Sequence, residues 1–210
     1  MIKNILFDLD GVLIEAQNWH YEAFNRALHD ICGYEIPYDE HMSTFNGLPT
    51  KAKLKILTER DIVKEKDYER IFILKQHHTM NIIKTNCKPD PIKIDMMHKL
   101  MEYRKACVTN SIYKTAYEML VHADLNYYLD YVQGNEATKF PKPNPSPYLH
   151  SMAFMGISPI ETLIVEDSEK GYQAAIASGA HVLKVKDSTE VYYDNVIGRI
   201  GEIQWNDRRK

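Results

Sequence analysis

The sequence predicts a doubly wound α/β fold, a parallel sheet covered by helices on both faces, with an all-helical block inserted after the first strand. Three observations carry this. The apolar run Asn4–Leu9 ends in Asp10-Gly11, as a buried strand running into a turn does. Between Ala16 and Cys87 there is no strand signal, and apolar residues recur at helical spacing. After Lys88-Pro89-Asp90-Pro91, strands and helices alternate at lengths that make βαβ units, which require a parallel sheet.

In order, the inserted block opens with a helix over Ala16–Ile31. It carries Trp19, Ala23 and Ala27 on one stripe, Tyr21, Phe24, Leu28 and Ile31 on another, and Gly33 stops it. Thr50 is expected to cap a second helix running through Leu54 and Leu57, and a third lies between Lys66 and Lys84. Beyond the block come helix Ile92–Tyr103, strand Lys105–Thr109 and helix Ile112–Val121. A weaker strand near Leu129–Val132 and helix Ser146–Met155 follow, then strand Thr162–Glu166, helix Glu169–Ser178 and strand His181–Lys186. The segment Val191–Lys210 is the least readable part. The expected domains are therefore a core of residues 1–14 and 88–210 and an insert of residues 15–87.

Composition restricts the classes. The 210 residues are 44% hydrophobic and 26% charged with formal charge −3, which describes a globular chain. Such a length buries roughly 70% of its unfolded surface, enough for one full core and a small second one. Near-neutral charge with scattered Lys and Arg argues against nucleic-acid and membrane partners, and no apolar run reaches the ~18–20 residues of a spanning helix. The start MIKNILFDLDG has carboxylates where a signal peptide needs an apolar stretch. Cys32, Cys87 and Cys107 form no metal or disulfide pattern, and so read as reduced thiols of a cytoplasmic protein.

In an open parallel sheet, functional groups gather at the carboxyl ends of the strands. Those ends carry Asp8 and Asp10, Thr109-Asn110-Ser111, Lys142 after the third strand, and Glu166-Asp167-Ser168. Asp8 and Asp10 are two apart, so an extended chain points both to one side, where they repel unless a cation shares the site. With Asp167 they make a hard oxygen set that suits Mg2+ better than zinc. Asp167 is the expected direct ligand and Glu166 its outer partner. Lys142, Thr109 and the amides at the start of the helix after 111 would form a cradle for an anion. Each piece has a plainer reading: Asp-Gly as a turn, Thr-Asn-Ser as a helix cap, Lys142 as a solvated loop residue. It is their order at successive strand ends that favours a site.

The motifs FDLDGVL at 7–13, CVTNS at 107–111, KPNPSPYL at 142–149 and LIVEDSEKGYQAA at 163–175 resemble those of the haloacid dehalogenase superfamily, in the branch with a helical cap after the first strand. The resemblance runs from Ile2 to about Lys186 and is strongest in the core. It implies a Rossmann-like core and an Mg2+-dependent phosphoryl-transfer enzyme. Asp8 would be the nucleophile, Asp10 the general acid/base, Thr109 and Asn110 phosphate-orienting residues and Lys142 the charge stabiliser. Asp8, the Asp10 backbone carbonyl and Asp167 would hold the metal. Asp at position 10, absent from the dehalogenases of the superfamily, favours phosphoester chemistry.

In the cap, hinges are expected around Leu13–Ala16 and Cys87–Pro91, with the turn Phe45–Pro49 and its Gly47 facing substrate. His20 matches a histidine at the active-site entrance of the similar β-phosphoglucomutases, although a His on such a face often only packs. Lys51 and Lys75 would bind an anionic substrate or, more commonly for such residues, form a solvated face. The leading expectation is a phosphatase of a small phosphorylated metabolite (a sugar, polyol or amino-alcohol phosphate), acting as a monomer or weak homodimer. A sugar phosphomutase is the alternative, opposed by Leu48-Pro49-Thr50 where those mutases carry an Arg. A receiver-like phospho-aspartate switch is a poorer one, because receivers lack a cap.

Overall fold

The computed structural model describes residues 1–209; Lys210, the end of the expected 88–210 segment, lies outside them. The chain divides into two compact units, Met1–Glu15 with the chain from Lys88 onward, and Ala16–Cys87. Glu15, placed in the insert by sequence, groups with the first unit, where its carboxylate accepts from the Ser188 hydroxyl at 3.2 Å.

The first unit is a five-stranded sheet of β1 (Asn4–Phe7), β2 (Arg104–Val108), β3 (Tyr131–Gln133), β4 (Thr162–Glu166) and β5 (His181–Lys184), in the order β3-β2-β1-β4-β5. Every pairing is parallel, so each crossover passes through a helix. Those helices are α5 (Pro91–Lys99), α6 (Tyr113–His122), α7 (Ser146–Met155) and α8 (Glu169–Ala177). All four β1 residues are buried, which a continuous apolar run in a central parallel strand requires. Register sets Leu6 beside Ala106 and Ile164, and these pack on Tyr148 and Met152 of α7 and Ala174 and Ala175 of α8. Successive side chains alternate, so Ile5 and Phe7, both fully buried, face the opposite side. Because the chain runs outward through β2 and β3 and then returns to the other side of β1, the sheet reverses direction beside β1. A doubly wound sheet opens its crevice at such a point.

The sheet elements fall close to their expected bounds, and Ser146–Met155 and Thr162–Glu166 coincide with them. One element was not expected, the helix α9 over Tyr193–Asp207, which buries Val196, Ile200 and Ile203.

The second unit is helical. It contains α1 (Gln17–Cys32), one turn α2 (Tyr38–Glu40) leading into a π-helical segment at His41–Phe45, α3 (Thr50–Glu59) and α4 (Tyr68–Asn86). Phe24, Leu28, Ile36, Phe45, Leu54, Leu57 and Ile71 form its core. Gly33 ends α1 as expected, with φ +66° and its amide donating to the His29 carbonyl. Thr50 does not cap α3. It is the first helical residue, preceded by Pro49, and its side chain makes no cap bond. Among the described residues, no helix is long and apolar enough to cross a membrane.

Candidate active site

The carboxyl ends of β1, β2 and β4 bring together residues far apart in the chain. Asp8 follows β1, with its amide donating to the Val165 carbonyl at 3.0 Å, so the β1–β4 ladder fixes where its side chain starts. The Lys142 ammonium, 3% exposed, donates to Asp8 Oδ1 at 2.7 Å, Glu166 Oε1 at 2.6 Å and the Val108 carbonyl at 2.7 Å. Its three protons are thus spent in one fixed geometry. Tyr148 donates its hydroxyl to Glu166 Oε1 as well, and Ser168 reaches Glu166 Oε2 at 3.4 Å. Carboxylate oxygens of Asp8, Glu166 and Asp167 lie within 4.8 Å of one another.

Crowding of this kind has an electrostatic consequence. Burial pushes the Asp8 carboxyl well above its usual range, against the pull of Lys142 and with help from Glu166 and Asp167. Asp167 is raised to about 7, by burial first and then by the charge of Glu166. Burial pulls Lys142 down, but Asp8 and Glu166 outweigh it and hold the ammonium well above the usual lysine range. One ammonium therefore faces three carboxylates. A small hard cation would relieve the excess negative charge, and an all-oxygen donor set fits Mg2+.

Asp10 sits in the tight turn after β1, closed by the Gly11 amide on the Ile14 carbonyl and the Ile14 amide on the Leu9 carbonyl. Its carboxylate is half-buried, accepts from the Ser111 hydroxyl at 3.0 Å, and adds its charge to those raising Asp8 and Asp167. Thr109 is buried. Its amide donates to the Gln133 carbonyl and its hydroxyl accepts from the Ser111 amide at 2.9 Å. The Asn110 side chain straps the neighbouring loop, accepting from the Lys142 amide at 3.1 Å and donating to the Lys142 carbonyl at 3.3 Å. The expected anion cradle at the start of α6 is partly occupied: the Glu136 carboxylate accepts from the Tyr113 amide at 2.9 Å.

Residues 5–185 match the family model for haloacid dehalogenase-like hydrolases. The chain belongs to this family. Among its relatives, it is 28% identical to a phosphorylated carbohydrates phosphatase of Thermotoga maritima, over 85% of this chain and 82% of the relative. It is 27% identical to a fructose-1-phosphate phosphatase of Escherichia coli, over 87% of this chain and 95% of the relative. In fold it is similar to a β-phosphoglucomutase of Clostridium difficile, with TM-score 0.82 at 19% identity over 96% of this chain and 98% of the other. That last likeness speaks to architecture alone.

The cap of this haloacid dehalogenase-like hydrolase holds the other sequence candidates. His20, half-buried on α1, has Nδ1 3.4 Å from the Lys75 ammonium. Lys75 itself is buried, so the solvated-face reading of it was wrong. Lys51 is exposed, as is Gly47, which takes φ +72° in the turn before α3. Two cap residues escaped the sequence reading. Lys53 is buried with its ammonium 5.7 Å from the Phe24 ring centre, and His41 is buried edge-on to Tyr21. Burial, then the charges of Lys53 and His20, lower His41 to about 4, so it is neutral at physiological pH. In the core the missed residue is Tyr148. Its place within the KPNPSPYL motif at 142–149 was visible, but nothing local distinguished it from a packing aromatic.

Proposed function

We propose that the chain is an Mg2+-dependent phosphatase that hydrolyses a small phosphomonoester, a sugar, polyol or amino-alcohol phosphate, through an aspartyl phosphate on Asp8. The observation that carries the reading is the buried pair of Asp8 and Lys142, a carboxylate at a strand end held by an ammonium with no freedom to move. The phosphatase names of the sequence relatives support it.

In this reading, an Asp8 carboxylate oxygen attacks phosphorus and the substrate alkoxide leaves, taking a proton from Asp10. Water then attacks the aspartyl phosphate, its proton passes to the Asp10 carboxylate, and phosphate and free Asp8 are released. Ser111 orients the Asp10 carboxyl for both transfers. Lys142 offsets the charge of the transferring oxygens, Thr109 orients them, and Asn110 keeps the Lys142 backbone in register. Asp8, the Asp10 carbonyl and Asp167 would hold Mg2+, whose contribution when bound is to neutralise the phosphate charge that three carboxylates would otherwise repel. His20, Gly47 and Lys51 are the cap candidates for substrate binding.

A phosphate-release screen over a panel of metabolite phosphomonoesters, ranked by kcat/KM, tests the proposal. The expected result is turnover that chelation removes and Asp8→Asn abolishes. Full turnover in Asp8→Asn would overturn the nucleophile. Isomerised sugar phosphate without free phosphate would replace the hydrolase with a mutase.

A further inference from the structure

We infer that the Tyr148 hydroxyl is a positioning group of the reaction, which holds the Glu166 carboxylate and thereby fixes where the Lys142 ammonium stands against Asp8. The inference rests on the reading of Asp8 and Lys142 given above.

Packing does not explain a hydroxyl at this position. Tyr148 is fully buried in a layer formed by Leu6, Val108, Met152 and Ile164, where a phenylalanine would fill the same space. A phenol in such a layer needs a hydrogen-bond partner, and the oxygen it reaches is Glu166 Oε1. That same oxygen accepts from Lys142. Glu166 is fully buried too, so bulk water does not screen its contact with the ammonium 2.6 Å away.

Lys142 is thus pulled between two carboxylates, Glu166 at 2.6 Å and Asp8 at 2.7 Å. Donation by Tyr148 to Glu166 Oε1 draws part of the negative charge off that oxygen and weakens its claim on Lys142. The aromatic ring supports the same geometry, because its centre lies 4.7 Å from the Lys142 nitrogen. Both residues come from one stretch of chain: Lys142 from the loop before α7, Tyr148 from its first turn. Without the hydroxyl, Glu166 holds the ammonium more strongly and Asp8 loses its share.

The variant Tyr148→Phe keeps ring and volume and deletes only the donor. With p-nitrophenyl phosphate, its kcat is expected to fall about tenfold while KM stays within about twofold, the pattern of an interaction that matters in the transition state. In a Glu166→Gln background, the same substitution should change kcat by less than about twofold, because its effect runs through the carboxylate. The 15N ammonium resonance of Lys142, assigned by its loss in Lys142→Met, should move in Tyr148→Phe. A lowered melting temperature with kcat intact overturns the inference, as do losses that multiply in the double variant or an unmoved Lys142 resonance. A wild-type enzyme that releases no phosphate overturns the functional reading instead, whereas an active wild type with a fully active Tyr148→Phe overturns this inference alone.

Discussion

The Glu166 carboxylate fills the space that a side chain at Gly171 would need: a Cβ built on Gly171 would lie 2.0 Å from all three carboxylate atoms, far closer than any contact allows. Ser168 caps α8 by accepting from the Gly171 amide at 3.0 Å, which brings the first turn of the helix against the strand end that carries Glu166. The glycine is required by this close approach, and its backbone conformation does not demand it.

Gly171→Ala therefore forces a buried carboxylate to move, together with the ammonium bonded to it. Overpacking of this kind costs about 1–3 kcal/mol. Urea denaturation should show that loss, and phosphate release should fall by at least about tenfold, because Lys142 is displaced with Glu166. An alanine variant with full activity would mean that the site accommodates a shifted Glu166.

Gly134 plays the corresponding part at the start of α6. A Cβ there would meet the Tyr113 backbone, with Tyr113 Cα only 2.7 Å away, and the Glu136 carboxylate that accepts from the Tyr113 amide. The same short segment donates from the Asn135 amide to the Ser111 carbonyl and from the Asn135 side chain to the Asn110 carbonyl. Gly134→Ala should push this segment off the 109–113 loop, raising KM for phosphate esters several-fold and lowering stability by about 1–3 kcal/mol. Steady-state kinetics and a thermal melt read both. An unchanged KM would separate the segment from phosphate binding.

How much of this was legible in the sequence depends on the range of the interaction. Asp8, Thr109 and Asp167 could be collected because each stands where an apolar run meets a turn, Lys142 because it follows the third strand between two prolines, and parallel topology brings strand ends together. Tyr148 and Gly171 could not be read, since their roles come from Glu166, which they meet only in the folded core. Lys53 and Lys75 were hidden for another reason. A lysine at helical spacing reads as a solvated face, and their burial depends on how the helices pack. The helix α9 did carry a signal, Val196, Ile200 and Ile203 at helical spacing, but Gly198 and Gly201 fall between them and obscure it.

If Asp10 is the general acid proposed above, Asp10→Asn should separate acid catalysis from phosphoryl transfer itself. An amide keeps a partner for the Ser111 hydroxyl, so the fold and the turn after β1 should survive. The rate with alkyl phosphates, whose alkoxides need a proton, should fall about 10²–10⁴-fold. p-Nitrophenyl phosphate, with its stable leaving anion, should lose less in the first step. Burst kinetics should then show aspartyl phosphate accumulating as water attack becomes limiting. Equal losses for aryl and alkyl esters would remove Asp10 as the acid.

With Asp167 as a metal ligand, as proposed above, its raised carboxyl should make both stability and metal binding depend on pH, with a definite sign. Its pKa rises from an ordinary value of 3.8 to about 7 on folding, by burial first and the Glu166 charge second. A raised acid favours the folded state fully below the unfolded value, and that contribution fades as pH climbs through the folded one. The metal-free protein should therefore lose stability between about pH 4 and 7, by a few kcal/mol with the three carboxylates coupled. Mg2+ binds the deprotonated site, so below about pH 7 its affinity should drop up to about tenfold per unit while protons compete, and level off above it. Melting temperatures with and without Mg2+ across this range test both halves: the metal-induced rise should be small at pH 5.5 and large at pH 8. A rise that is independent of pH would show that Asp167 is not titrating against the ion.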